Sequence, residues 1–103
     1  MILDSSDGFE WDDGNSNKNW HGHRVTDTEC EEVFYNLPIR VGLDTKRKSD
    51  EPRYSILGQT NSGKLLYVAF SIRSRFIRVI SAREMNVREV RRYEEEVKRN
   101  PRF

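Results

Sequence analysis

The stretch LLYVAFSIRSRFIRVISAR, residues 65–83, decides how this chain folds. Leu65 to Ile72 is almost wholly apolar and rich in β-branched and aromatic residues, the composition of a central strand. Arg73-Ser74-Arg75 turns the chain, and Phe76 to Ala82 reads as the next strand. So short a connection makes an antiparallel hairpin. If Ser74 and Arg75 are the turn residues, Arg78 stands opposite Ser71, beside the Arg73 face. A slip of one residue would move it to the other face.

Working upstream, Thr60-Asn61-Ser62-Gly63 is a turn, and Tyr54 to Gly58 alternates like a strand. Residues 44–52 are charged and end in a proline, which predicts a loop. Ile39 to Leu43 is a short strand candidate. Before it, Thr26-Asp27-Thr28-Glu29 has the form of a capping box, followed by Cys30, Val33, Phe34 and Leu37 on one helical stripe. Pro38 stops that helix near Tyr35 or Asn36. Asn15 is placed to cap a shorter helix running through His21, with Trp20 as its inward anchor and Gly22 as its end. Phe9-Glu10-Trp11-Asp12 alternates apolar and acidic residues, as a short strand does. Residues 1–8 are polar and expected to be loose. Downstream, the period turns helical from Glu84 to Arg99, with Val90, Tyr93 and Val97 as the apolar stripe and Pro101 beyond it. The expected fold is α+β: a short N-terminal strand and two helices, an antiparallel sheet of three to four further strands, and a C-terminal helix. It forms one domain over residues 1–103, with its core at about 9–99.

Composition limits the function. The chain is 35% hydrophobic and 34% charged. Its longest apolar run, Leu65 to Phe70, is far short of the roughly 20 residues a transmembrane helix needs. The first residues have neither the basic flank nor the apolar core of a signal peptide. Cys30 is the only cysteine, so no internal disulfide is possible, and a reducing cytoplasm is the expected location. His21 and His23 are the only histidines; two residues apart and without cysteine partners, they make a poor metal site, and no cofactor is expected. The net charge is only +1, but acids crowd residues 1–35 while arginines and lysines crowd residues 36–83. That asymmetry predicts a one-sided basic surface, either a nucleic-acid contact or a solvated sheet face.

Several of these residues, taken in order, resemble a known family. Phe9-Glu10-Trp11-Asp12, Asn15, Lys18-Asn19-Trp20, His23 and Glu31-Glu32-Val33-Phe34 read like the opening of BrnT toxins. Glu51, Arg53, Gly58, Leu65 to Phe70, Arg73 and above all Ile77-Arg78-Val79-Ile80-Ser81-Ala82-Arg83 continue the pattern, and Met85-Asn86, Glu89 and Tyr93 complete it. The resemblance implies a RelE-like fold and metal-independent cleavage of mRNA that blocks translation. It also implies a ribbon-helix-helix antitoxin, BrnA, in a hetero-oligomeric complex that binds its own operator through the antitoxin. One departure stands out. Arg24 occupies a place before the second helix where the family commonly has glycine, so a positive φ there would strain it.

Metal-free RNA cleavage needs a base for the 2′-OH proton, cations for the phosphate oxygens and an acid for the leaving 5′-oxygen. Arginine suits the second task because its planar fork binds two oxygens and keeps its charge. With the resemblance, Arg73 and Arg83 at strand ends are the first candidates; the alternative for each is a solvated arginine or an ion pair with the C-terminal helix. Arg53 joins them, with Glu51 two residues earlier as its partner or as the base. His23 suits acid–base work at neutral pH. Lys18 and Arg78 are candidates for RNA contact. Trp11, Trp20 and Tyr93 read first as core. The competing function is a non-catalytic RNA- or protein-binding module on the same fold.

Overall fold

A computed structural model describes residues 6–44 and 51–99. The elements run β1 (Gly8–Phe9), α1 (Lys18–His23), α2 (Asp27–Tyr35), β2 (Arg40–Asp44), β3 (Arg53–Gln59), β4 (Leu65–Arg73), β5 (Phe76–Glu84) and α3 (Val87–Arg99). The α+β order expected from the pattern is the order observed. The sheet is β1-β5-β4-β3-β2. Its four long strands are antiparallel, but β1 joins β5 in parallel, so the sheet is mixed rather than wholly antiparallel. The loop expected at 44–52 and the first residues lie largely outside the described residues.

The β4–β5 hairpin turns at Ser74 and Arg75, both in the left-handed region at φ 50° and 71°. Two such residues give a turn whose twist matches the flanking strands. This turn puts Arg78 opposite Ser71, the first of the two registers that the sequence left open. The register shifts between Ala69 and Phe70, which face Ser81 and Val79, leaving Ile80 as an extra residue in β5. Val79 and Ala82 can therefore both be buried although they lie three residues apart.

One face of the sheet carries the core. Ile56, Leu66, Val68, Phe70, Ile77 and Val79 meet Cys30, Val33 and Phe34 from α2. The capping box forms as expected: Thr26 Oγ1 accepts the Glu29 N–H at 3.0 Å, and Glu29 Oε1 accepts the Thr26 N–H at 2.9 Å. Gly58 lets α2 approach β3 closely, since a Cβ there would fall 2.8 Å from Val33 Cγ1. Leu37 does not share the core stripe. It lies past the helix end and is exposed.

The N-terminal part differs in detail from expectation. β1 pairs only at Gly8 and Phe9, and the chain beyond it closes the β5 edge with side chains. Asn15 Nδ2 donates to Glu10 O and Val79 O, and Asn19 Oδ1 accepts the Ala82 N–H. Asn15 is therefore an edge clamp and not a helix cap; α1 begins after Asn17, whose side chain makes no capping bond. Asn19, at 3% exposure, is the inward residue of α1, and Trp20 faces outward at 41%. The helix runs past Gly22 to His23 and ends on Arg24 at φ 56°, ψ 37°. The strain anticipated for Arg24 is present.

The other face of the sheet is partly open. At one end α3 packs on β3, Tyr93 is buried and donates from its hydroxyl to Pro38 O at 2.6 Å, and Arg40 pairs with Glu96. The candidate site lies at the opposite end, between β3, β4 and β5.

Candidate phosphate-binding cleft

Register brings the site together. Arg53 of β3 is opposite Ser71 of β4, which is opposite Arg78 of β5. Neighbouring strands run about 4.8 Å apart, so the three side chains form one row across the open face. Arg73 follows on the same face of β4, two residues beyond Ser71. Together with Glu51, Lys18, Gly14, Asn15, Val79 and Ile80 they line a cleft of about 250 Å³. Five sequence candidates, Lys18, Glu51, Arg53, Arg73 and Arg78, thus share one site.

Its charges are arranged in an alternating chain. Glu51 Oε2 accepts from Arg73 Nη2 at 3.2 Å. Glu10 Oε1 lies 3.8 Å from Arg73 Nη1 and 2.9 Å from Arg78 Nη1. Asp12 takes both Arg78 terminal nitrogens, at 2.9 and 3.0 Å, and accepts the Gly14 N–H at 2.8 Å. The Arg78 hydrogen bonds, then the Gly14 N–H, hold the Asp12 carboxyl below its ordinary range, and Asp12 in turn pushes the Arg78 value up. The Ser71 hydroxyl, then Arg73, lowers the Glu51 carboxyl, so Glu51 is ionised at neutral pH. The carboxylate bonds given above go to Arg73 and Arg78; Arg53 and Lys18 are the other two cations that line the cleft.

Glu10 and Asp12 escaped the sequence reading as site residues. They reach Arg78 across 68 and 66 residues, through the parallel pairing of β1 with β5, for which no local pattern exists. The nearby signals were the alternating Phe9-Glu10-Trp11-Asp12 stretch, which the family resemblance also includes, and the Asp13-Gly14-Asn15 breaker; neither pointed to Arg78. A Cβ on Gly14 would sit 3.0 Å from Arg78 Nη2, so the guanidinium packs against bare backbone there.

Two candidates fall elsewhere. Arg83 lies on the same face as Arg78 but in the row of Tyr67 and Leu57, at the end occupied by α3. It binds Glu89 through Nη1 at 2.7 Å and Nη2 at 3.0 Å and stacks over Tyr67 at 4.4 Å. His23, exposed at the end of α1, does not line the cleft. The cleft therefore holds cations and a carboxylate but no imidazole.

Among the described residues, no group of three or more His, Cys, Asp or Glu side chains could hold a metal ion, and no helix is long and apolar enough to cross a membrane. No curated protein matches the chain. The family model described as "Ribonuclease toxin, BrnT, of type II toxin-antitoxin system" matches residues 11–89, a span that includes α1 through β5, every residue lining the cleft and Glu89. The chain belongs to the BrnT family of ribonuclease toxins of type II toxin–antitoxin systems.

Proposed function

We propose that the chain is a metal-independent endoribonuclease that cuts RNA in this cleft, acts in the cytoplasm, inhibits translation and is neutralised by a ribbon-helix-helix antitoxin. The observation that carries the reading is the row Arg53, Ser71 and Arg78, with Arg73 and Lys18 beside it, in one open cleft of a ribonuclease-toxin family member. Arg53 and Arg73 grip the non-bridging oxygens of the scissile phosphate, and their charge stabilises the extra negative charge of the transition state. Glu51 is ionised and takes the proton of the attacking 2′-OH. The 2′-oxygen bonds to phosphorus, the bond to the 5′-oxygen breaks, and Lys18 protonates that oxygen as it leaves. The products are a 2′,3′-cyclic phosphate and a 5′-hydroxyl.

Cleavage of single-stranded RNA by the purified protein in excess EDTA tests this directly. The expected result is cyclic-phosphate ends from the wild type and a loss of roughly 100-fold or more in an Arg53→Ala, Arg73→Ala double variant, the scale of removing transition-state charge stabilisation. RNA binding with no cleavage would overturn the catalytic reading and leave a binding module. Co-expression with a ribbon-helix-helix protein encoded beside the toxin should restore growth and give a co-purifying complex.

A further inference from the structure

Arg73 is held between two carboxylates, and they are not equivalent. Glu51 bonds it at 3.2 Å and also takes the hydroxyl of the buried Ser71, so this carboxylate is fixed at two points. Glu10 lies farther away, at 3.8 Å, and its same oxygen already holds Arg78 at 2.9 Å. The Glu10 backbone is pinned, since its N–H donates to Ile77 O and its C=O accepts from Asn15 Nδ2. Its side chain is one-third exposed and can turn without moving the strand.

A phosphate entering the cleft needs Arg73, whose guanidinium is hydrogen-bonded to Glu51 and faces Glu10 at ion-pair distance. We propose that Glu10 is the carboxylate Arg73 gives up when RNA binds, so that Glu10 sets the RNA affinity of the cleft by competing with the substrate phosphate. The exchange leaves no charge stranded, because the released carboxylate keeps Arg78. That avoids the cost of an unpaired charge beside the site. Asp12 has a different task. Its paired bonds to Arg78 and its Gly14 bond fix the arginine to which Glu10 retreats. This inference rests on the proposal that the cleft binds RNA.

The test is the affinity of wild type, Glu10→Gln, Glu10→Asp and Glu84→Gln for a short single-stranded RNA with 2′-O-methyl groups throughout, which cannot be cut, alongside cleavage kinetics on the unmodified RNA. Glu10→Gln removes the competitor, and Glu10→Asp shortens it away from Arg73 with its charge kept. Both should tighten binding by about two- to fivefold, the range an exposed ion pair is worth, and lower KM by the same factor while kcat holds. Glu84 lies at the far end of β5, so its variant removes the same charge from a distance and should leave affinity unchanged. Unchanged or weaker binding in both Glu10 variants, with an unaltered melting temperature, overturns the inference, as does equal tightening in Glu84→Gln. If the wild type cuts RNA while the Glu10 variants bind no better, the inference falls and the ribonuclease reading stands. If no variant binds or cuts RNA, both fall.

Discussion

Arg83→Ala tests whether Arg83, bound to Glu89 and stacked on Tyr67, serves the fold while Arg73 serves the proposed RNA contact. Arg83 makes two charge-assisted bonds to Glu89, whose side chain is 20% exposed while that of Arg83 is 36% exposed. Such bonds are worth about 1.5–3 kcal/mol when shielded from water. At this exposure, solvent screening reduces the pair to roughly 1 kcal/mol. The stack over Tyr67 adds about 0.5–1 kcal/mol. The variant should therefore lose about 1.5–2 kcal/mol and melt roughly 6–16 °C lower, at 4–8 °C per kcal/mol for a domain of this size. A double-mutant cycle with Glu89→Ala should return a coupling of about 1 kcal/mol. RNA contact is read separately, from the slope of log affinity against log salt. That slope falls by about 0.7 for each lost phosphate contact on a single strand. It should fall in Arg73→Ala and hold in Arg83→Ala. An Arg83→Ala protein that keeps its melting temperature but loses salt slope and cleavage as Arg73→Ala does would refute this assignment.

The same pair sets one pH dependence. The Arg83 hydrogen bonds, then the Asn86 N–H, hold Glu89 below the ordinary glutamate value. Its stabilisation is thus fully present at neutral pH and is lost as the pH falls from that ordinary value through the lowered one. Acid melting curves should show a shallower decline for Glu89→Gln than for wild type below the usual carboxylate range. Arg24→Gly should raise stability by about 1 kcal/mol, because φ 56° costs an L-residue about 1–2 kcal/mol and the lost contact over the Trp20 ring returns part of it; a lower melting temperature would count against strain there. Gly58→Ala should cost about 1–3 kcal/mol by forcing α2 away from β3, visible as a lower denaturation midpoint with unchanged products. Burial pushes the Cys30 thiol up to about 12, so a thiol reagent should label it only at the rate of global unfolding, as measured by quench-and-mass analysis.

Legibility in the sequence followed the range of the interaction. The capping box at Thr26 and Glu29 spans three residues and could be read outright. The Arg78–Ser71 register could be read only as one of two, because it follows from which two residues make the turn. These local signals named Arg53, Arg73 and Arg78 as candidates, but it took the strand registers of the fold to set them on one face. The phase of α1 could not be read: in a six-residue helix, Asn19 and Trp20 are adjacent, and only the free Ala82 N–H on the edge of β5 decides that the asparagine turns inward. Arg78 and Arg83 lie five residues apart, so simple alternation would set them on opposite faces; the extra residue at Ile80 brings both to the same one. What separates them is where α3 lies, and that depends on Tyr93, Arg40 and Glu89 finding partners far away in the chain.

A near-neutral chain is a surprising binder of a polyanion, and the charge chain in the cleft resolves the difficulty. From Glu51 through Arg73, Glu10 and Arg78 to Asp12, each cation of this chain is matched by a carboxylate, with Arg53 and Lys18 beside it in the cleft. Such a site exerts little long-range pull, because opposite charges a few ångströms apart cancel beyond about a Debye length, roughly 8–10 Å. If the cleft is the RNA site, as proposed, RNA is held there by exchange at contact distance and not by a broad basic surface. A toxin built this way binds the phosphates that fit between its arginines and discriminates against anions that merely drift near. On that proposal the acids at Glu10, Asp12 and Glu51 are as much a part of the selectivity as the arginines they hold.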